Sequence, residues 1–196
     1  MSGAHADTGG LILAGGRSRR FGGEKAVVSF RGRTLLACAR EALCACAAIA
    51  VSAHAQSAAA ALARTAGLDL LDDDPSFPAG PLRGVAAGLA WAQRRGFTLL
   101  ACAPCDAPLA GGAIFERLHA ARGEAPAAYA ETAQGGEPLF ALWRVSLLEP
   151  LTAALRAGAH PPIHAFLDSQ GALRVRFADA RPFANANTPE ELAALE

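Results

Sequence analysis

Nowhere does the chain run through about 18 consecutive apolar residues, so no segment of it reads as a membrane-spanning helix. It also lacks a surplus of charge: 18 lysines and arginines stand against 18 aspartates and glutamates. Proteins that hold nucleic acid through its phosphates need a basic excess, so the expected partner is a small molecule and not a nucleic acid. The opening residues 1–10 have neither the basic start nor the long apolar middle of a secretory signal. They read as the frayed N-terminus of a cytoplasmic protein, with residues 1–8 flexible. Cysteine is sparse and odd in number, five in all, and sits mostly among alanines, where reduced thiols behave as small hydrophobes. A disulfide scaffold is therefore not expected. Cys102 and Cys105 form a single C-x-x-C with no second pair to complete a zinc site, so packing is their expected role. His160 and His164 are four apart, but Pro161 and Pro162 between them rule out a helical metal pair. No Ser-His-Asp or Cys-His arrangement stands out either.

What the chain does have is apolar mass, 52% of 196 residues, enough for one sizeable core and a single domain spanning residues 1–196. It also has a concentrated glycine-rich segment near its start. Leu11, Ile12, Leu13 and Ala14 make a short buried strand that empties into Gly15-Gly16, followed by Arg17, Arg19, Arg20 and Lys25. Glycine lets the backbone approach an anion closely, so the Gly15 and Gly16 amides can cradle phosphate oxygens while the cations neutralise charge. The spelling is neither the dinucleotide fingerprint nor the P-loop.

Beyond the loop, Val27, Val28 and Phe30 suggest an extended piece turning at Arg31-Gly32-Arg33. Thr34 reads as the N-cap of a helix running to Ala47, residues 49–52 as a strand, 56–66 as a helix closed by Gly67, and 68–71 as a strand. Helix over 85–95, strand over 98–103, helix over 113–122 and strand over 127–130 follow. This alternation favours a parallel sheet with right-handed crossovers, and ligands in such sheets gather beyond the carboxyl ends of the strands. The candidates there are the Gly15 loop, His54, the aspartates after Leu71, and Asp106, which is held between Pro104 and Pro108. Asp106 is the leading one, since a carboxylate at the mouth of a central strand can hold a cation beside bound phosphate oxygens. Later, the glycine pair Gly135-Gly136 reads as a flexible loop before a buried strand, 146–157 as a helix, and residues 173–177 as an edge strand. Thr188 and Glu191 form a capping box with Pro189 at the first helical position.

The segment Leu13-Ala14-Gly15-Gly16, Ser18, Arg20, Gly22-Gly23 and Lys25 closely resembles the opening signature of the molybdenum cofactor guanylyltransferases. So do Gly80-Pro81-Leu82, Pro104-Cys105-Asp106, Pro138-Leu139-Phe140-Ala141-Leu142-Trp143, and the tail from Phe183 through Asn185, Asn187 and Thr188 to Leu192. Glu24 stands where the family more often has Asp, Arg83 where it has alanine, and Glu137 where it has Gln. The resemblance implies a three-layer, Rossmann-like α/β fold of the nucleotide-diphospho-sugar transferase type with a mostly parallel sheet. It implies that Leu13, Ala14, Gly15, Gly16 and Lys25 bind nucleotide, with Arg20 and Lys25 positioning phosphates, and that Asp106 holds Mg2+. An aspartate six or seven residues before the Gly80 segment contacts the nucleotide, and both Asp73 and Asp74 fit that spacing. Asn185 and Asn187 either grip the second substrate or lock the tail. The implied reaction joins GTP to molybdenum-bearing molybdopterin, giving the guanine dinucleotide and pyrophosphate, with molybdoenzyme clients or other cofactor-biosynthesis proteins as further partners. A CTP-using relative and a non-catalytic nucleotide or molybdopterin carrier are the rival readings. All of this requires Lys25 and Asp106 to face one another across the mouths of the first and fourth strands.

Overall fold

The computed structural model describes residues 5–15, 21, 23–158 and 161–196. Among these, β1 (His5–Leu13), β4 (Cys46–Ser52), β5 (Asp69–Leu71), β6 (Leu99–Pro104), β7 (Ala127–Thr132), β8 (Gly135–Arg144) and β9 (Leu173–Arg176) form one sheet in the order β5-β4-β1-β6-β8-β7-β9. Only β8 runs against the others, pairing antiparallel with β6 and β7. A separate hairpin, β2 (Ser29–Phe30) with β3 (Arg33–Thr34), turns through Arg31 and Gly32, both at positive φ as a tight two-residue turn needs.

Strand alternation sends neighbouring residues to opposite faces, and helices cover both. Ile12, Val51, Ala101, Ala103, Ala128 and Leu142 face α1 (Leu35–Ala42), α2 (Ala58–Thr65) and α4 (Ala113–Arg122). Leu11, Ala50, Leu100, Cys102, Tyr129 and Trp143 face α3 (Pro81–Arg94), α5 (Leu148–Arg156) and α6 (Ile163–Ser169). The expected three layers are there. A third, smaller cluster joins Phe30, Leu35 and Cys38 to Ala186 and Leu192, the last on α7 (Pro189–Ala193), so the end of the chain packs beside the first hairpin. No helix among the described residues is long and apolar enough to cross a membrane.

Close approach of α3 to β1 depends on glycine. A Cβ on Gly9 would lie 2.6 Å from Trp91 Cζ3 and 2.8 Å from Phe97 Cδ2, both on rings that tilt against each other. Trp91 is also tied by its indole N–H, which donates to Asp69 Oδ2 at 2.8 Å, so it cannot retreat freely. Gly9→Ala is expected to lower stability by about 1–3 kcal/mol, the usual cost of overfilling a packed interior. A urea unfolding midpoint equal to that of the parent would refute this.

Several boundaries differ from expectation, each for a physical reason. Residues 5–8, expected to be frayed, open β1: His5 N–H donates to Ala45 O at 2.8 Å, and its ring stacks on His119 of α4 at 3.7 Å. α1 ends at Ala42 and not near Ala47, because pairing with β1 draws Cys46, Ala48 and Ile49 into β4. Gly135 and Gly136 are not a loose loop but the start of β8, opposite Thr132 and Glu131. The helix α6 was not anticipated.

Candidate active site

Leu13 and Pro104 are register partners at the carboxyl ends of β1 and β6, so these two strands finish level with each other. The chain moves outward from β1 through β4 to β5 and then returns to the other side at β6. That reversal leaves a crevice between the two strand ends, the place where open α/β sheets bind ligands. A cavity of about 950 Å³ lies there, lined by Leu13, Ala14, Gly15, Glu24, Lys25 and Ser52, by Asp73, Arg83 and the Gly80–Pro81 start of α3, by Cys105 and Asp106, and by Leu139 and Asn187.

At its centre Lys25 Nζ donates to Asp106 Oδ2 at 2.8 Å and to Asn187 Oδ1 at 2.8 Å. The lysine side chain is only 12% exposed, so its charge is balanced by that carboxylate and that amide more than by water. Three remote segments are thereby tied together. The tail is fastened a second time by Ala186 N–H, which donates to Asp106 O at 2.9 Å. Thr188 caps α7, accepting from Glu191 N, and the Glu191 carboxylate accepts from Asn187 N at 2.6 Å, which fixes the backbone from which the asparagine reaches Lys25. Glu24 anchors the other end of the loop: its Oε2 accepts from Ala59 N at 2.9 Å, in the first turn of α2, where a carboxylate is favoured by the helix dipole.

Toward β4 and β5, Ser52 Oγ donates to Asp73 Oδ1 at 2.8 Å, and Arg83 Nε lies 3.4 Å from Asp73 Oδ2. Gly84 makes room for this. A Cβ there would come within 2.7 Å of Ser52 Oγ. Glu137, two residues before Leu139 on β8, is half-buried, and burial pushes its carboxyl above the usual range.

The structure separates the two aspartates that spacing left open. Asp73 lines the cavity, whereas Asp74 is exposed and accepts from the backbone and hydroxyl of Ser76 at 2.9 and 2.7 Å. Two expected positions fall elsewhere. His54 is exposed, its Nδ1 accepting from Gln56 N at 3.3 Å, and the β4 residue in the cavity is the buried Ser52 two places earlier. Asn185 is exposed and does not line the cavity, although Asn187 does. Gly16, Arg17, Arg19, Arg20 and His160 lie outside the described residues. Ser52 was the residue missed, and its signal was present: a lone polar side chain ending an apolar strand at the sheet's carboxyl edge. Cys102 and Cys105 of the C-x-x-C are both buried, and burial pushes the Cys105 thiol up to about 12 and raises that of Cys102 as well.

For a divalent cation, no group of three His, Cys, Asp or Glu converges among the described residues. Asp106 nevertheless offers an oxygen. Its Oδ2 receives Lys25, while Oδ1 has no partner among the described residues. A single carboxylate in a cavity sized for a polyphosphate fits Mg2+, which takes one or two carboxylates and completes its shell with water and phosphate oxygens. It does not fit a closed protein cage.

Comparison with known proteins places these features in a family context. A family model described as the MobA-like NTP transferase domain matches residues 10–173. The molybdenum cofactor guanylyltransferase of Cereibacter sphaeroides is 42% identical over 188 residues, covering 95% of this chain and 94% of that protein. In fold, the chain is similar to molybdopterin-guanine dinucleotide biosynthesis protein A of Archaeoglobus fulgidus, with a TM-score of 0.75, 22% identity and 96% of each chain covered. It is also similar to 2-C-methyl-D-erythritol 4-phosphate cytidylyltransferase of Thermus thermophilus, with a TM-score of 0.69 and 19% identity over 100% and 98% of the two chains. The chain thus shares the fold of these two solved structures, and a shared fold alone does not choose the nucleotide.

Proposed function

Because the chain belongs to the family of MobA-like NTP transferases, we propose that it transfers GMP from GTP to molybdenum-bearing molybdopterin, releasing pyrophosphate. An oxygen of the molybdopterin phosphate attacks the α-phosphorus, and the bond to the bridging oxygen of the β-phosphate breaks. The attacking phosphate is already ionised near neutral pH, so no protein base is needed. The difficulty is bringing two anions together while charge moves onto the leaving group, and that asks for positioned positive charge.

The observation that carries this reading is the junction of Lys25 with Asp106 and Asn187, each at 2.8 Å, inside the cavity at the β1 and β6 mouths. Lys25 reaches the phosphates from the end of the glycine loop, and Gly15 lets the backbone come close to them. Asp106 is the residue that would hold Mg2+, and the ion would supply Lewis-acid neutralisation of the charge that develops on the phosphates. Asp73, steadied by Ser52, takes the nucleoside. Asn187 and Leu139 border the side on which the acceptor enters. Residues 1–196 act as one such domain, cytoplasmic in location, whose product passes to molybdoenzymes.

The test is pyrophosphate release from GTP with molybdenum-loaded molybdopterin, run beside CTP and with or without a chelator. Expected are turnover with GTP, little with CTP, and loss on chelation that added Mg2+ restores. Preferred use of CTP would make it a cytidylyltransferase. Binding of GTP with no pyrophosphate release would make it a carrier, and either result overturns the proposal.

A further inference from the structure

The two flanks of the cavity differ in what they offer a nucleoside. Its charged centre, Lys25 with Asp106, lies at the mouths of β1 and β6. Toward β8 the wall is Leu139, which has no hydrogen-bonding side chain, and the amide beside it, Asn187, is already engaged by Lys25. Toward β4 and β5 it is Ser52, Asp73 and the first turn of α3. A triphosphate held at the centre must leave its nucleoside on one flank, and only the second can read a base.

Arg83 stands in that flank, in the first turn of α3. Its Nη1 donates to Phe77 O at 3.3 Å. Its Nε is close enough to Asp73 Oδ2 for charge attraction, yet it is buried without a hydrogen bond. Nη2 has no partner among the described residues. The guanidinium is therefore held at two points, is 23% exposed, and keeps unspent N–H groups beside a carboxylate that Ser52 secures from the other side. A carboxylate only accepts and a guanidinium only donates. Guanine complements both, since N1 and N2 donate while O6 and N7 accept. Adenine puts an amino group where guanine has O6, setting donor against donor.

We infer that Arg83 is a base-discriminating residue, donating to O6 and N7 of guanine next to Asp73. The inference rests on the guanylyl reading and adds the group that tells guanine from adenine. Alanine is a good helix former at this position, so Arg83→Ala should keep the fold, which circular dichroism checks.

Affinities for GTP, ITP and ATP, measured by titration calorimetry with Mg2+ on the parent and on Arg83→Ala, test it. Inosine retains O6 and N7 but lacks the 2-amino group. The expected result is a loss on the order of ten- to a hundredfold for GTP and ITP alike, with ATP nearly unchanged. A larger loss for GTP than for ITP would mean that Arg83 merely steadies Asp73. An equal loss for ATP would mean that it grips ribose or phosphate. Either overturns the inference, as does an unchanged GTP affinity. Arg83→Lys keeps the charge without the planar fork, and full recovery of the GTP-over-ATP ratio by that variant overturns the two-atom contact. A parent protein that binds none of the three nucleotides overturns the guanylyl reading itself. A GTP-over-ATP ratio in Arg83→Ala equal to that of the parent overturns the role of Arg83 alone.

Discussion

Asp106→Ala is expected to lower pyrophosphate release by roughly a thousandfold or more while the protein stays folded. The carboxylate is the only one at the β6 mouth whose second oxygen is free among the described residues to meet a cation, so under the proposed reaction its loss would leave the phosphates without the Mg2+ that neutralises them. The fold should tolerate the change. Asp106 lies past the end of β6, its backbone carbonyl still receives Ala186 N–H, and Lys25 keeps Asn187 as a partner. Asp106→Asn separates shape from charge, because it preserves the side-chain size and an acceptor for Lys25. Turnover at the parent rate in either variant, with thermal melting unchanged, would remove this residue from the chemistry.

Lys25→Ala should cost roughly a hundredfold in kcat/KM, the range for removing one well-placed donor to developing negative charge. Its effect should be divided differently from that at Asp106. In the proposed reaction Lys25 would meet the nucleotide before and during transfer, so both GTP affinity and kcat should fall. A structural consequence follows too: without the ammonium, Asn187 loses its tether to the loop and Asp106 loses its countercharge. Lys25→Met, which keeps the stem and deletes the charge, would then expose the tail to faster proteolysis near residues 184–188. Protection and kcat/KM both equal to the parent's would contradict the assigned role.

How far the sequence anticipated the site depends on where the information lies. The glycine loop and the Pro104–Asp106 segment were legible because each packs its chemistry into consecutive residues, and the alternation of strands and helices then brings their ends together across 81 positions. Asp73 could not be told from Asp74 by spacing. What separates them is which carboxylate turns toward Ser52 and which folds back on Ser76, a matter of packing and not of order. His54 was chosen as the first polar residue beyond an apolar run, yet the strand ends on a buried serine. The reach of β4 was hidden because its opening residues, Cys46, Ala47 and Ala48, continue the alanine-rich run of α1, where alanine favours a helix, and only pairing with β1 makes them strand. The reversal at β8 left a readable trace in the short Ala133-Gln134 link, obscured by the glycines that follow it.

The fastening of Ala186 to Asp106, and of Asn187 to Lys25, means that the cavity at the β1 and β6 mouths is finished by a segment that follows every strand of the main sheet. A chain cut after Phe183 would keep all seven strands of the main sheet and yet lose the amide that Lys25 meets and the N–H that Asp106 O receives. The sheet can thus be whole while the corner around Lys25 is not.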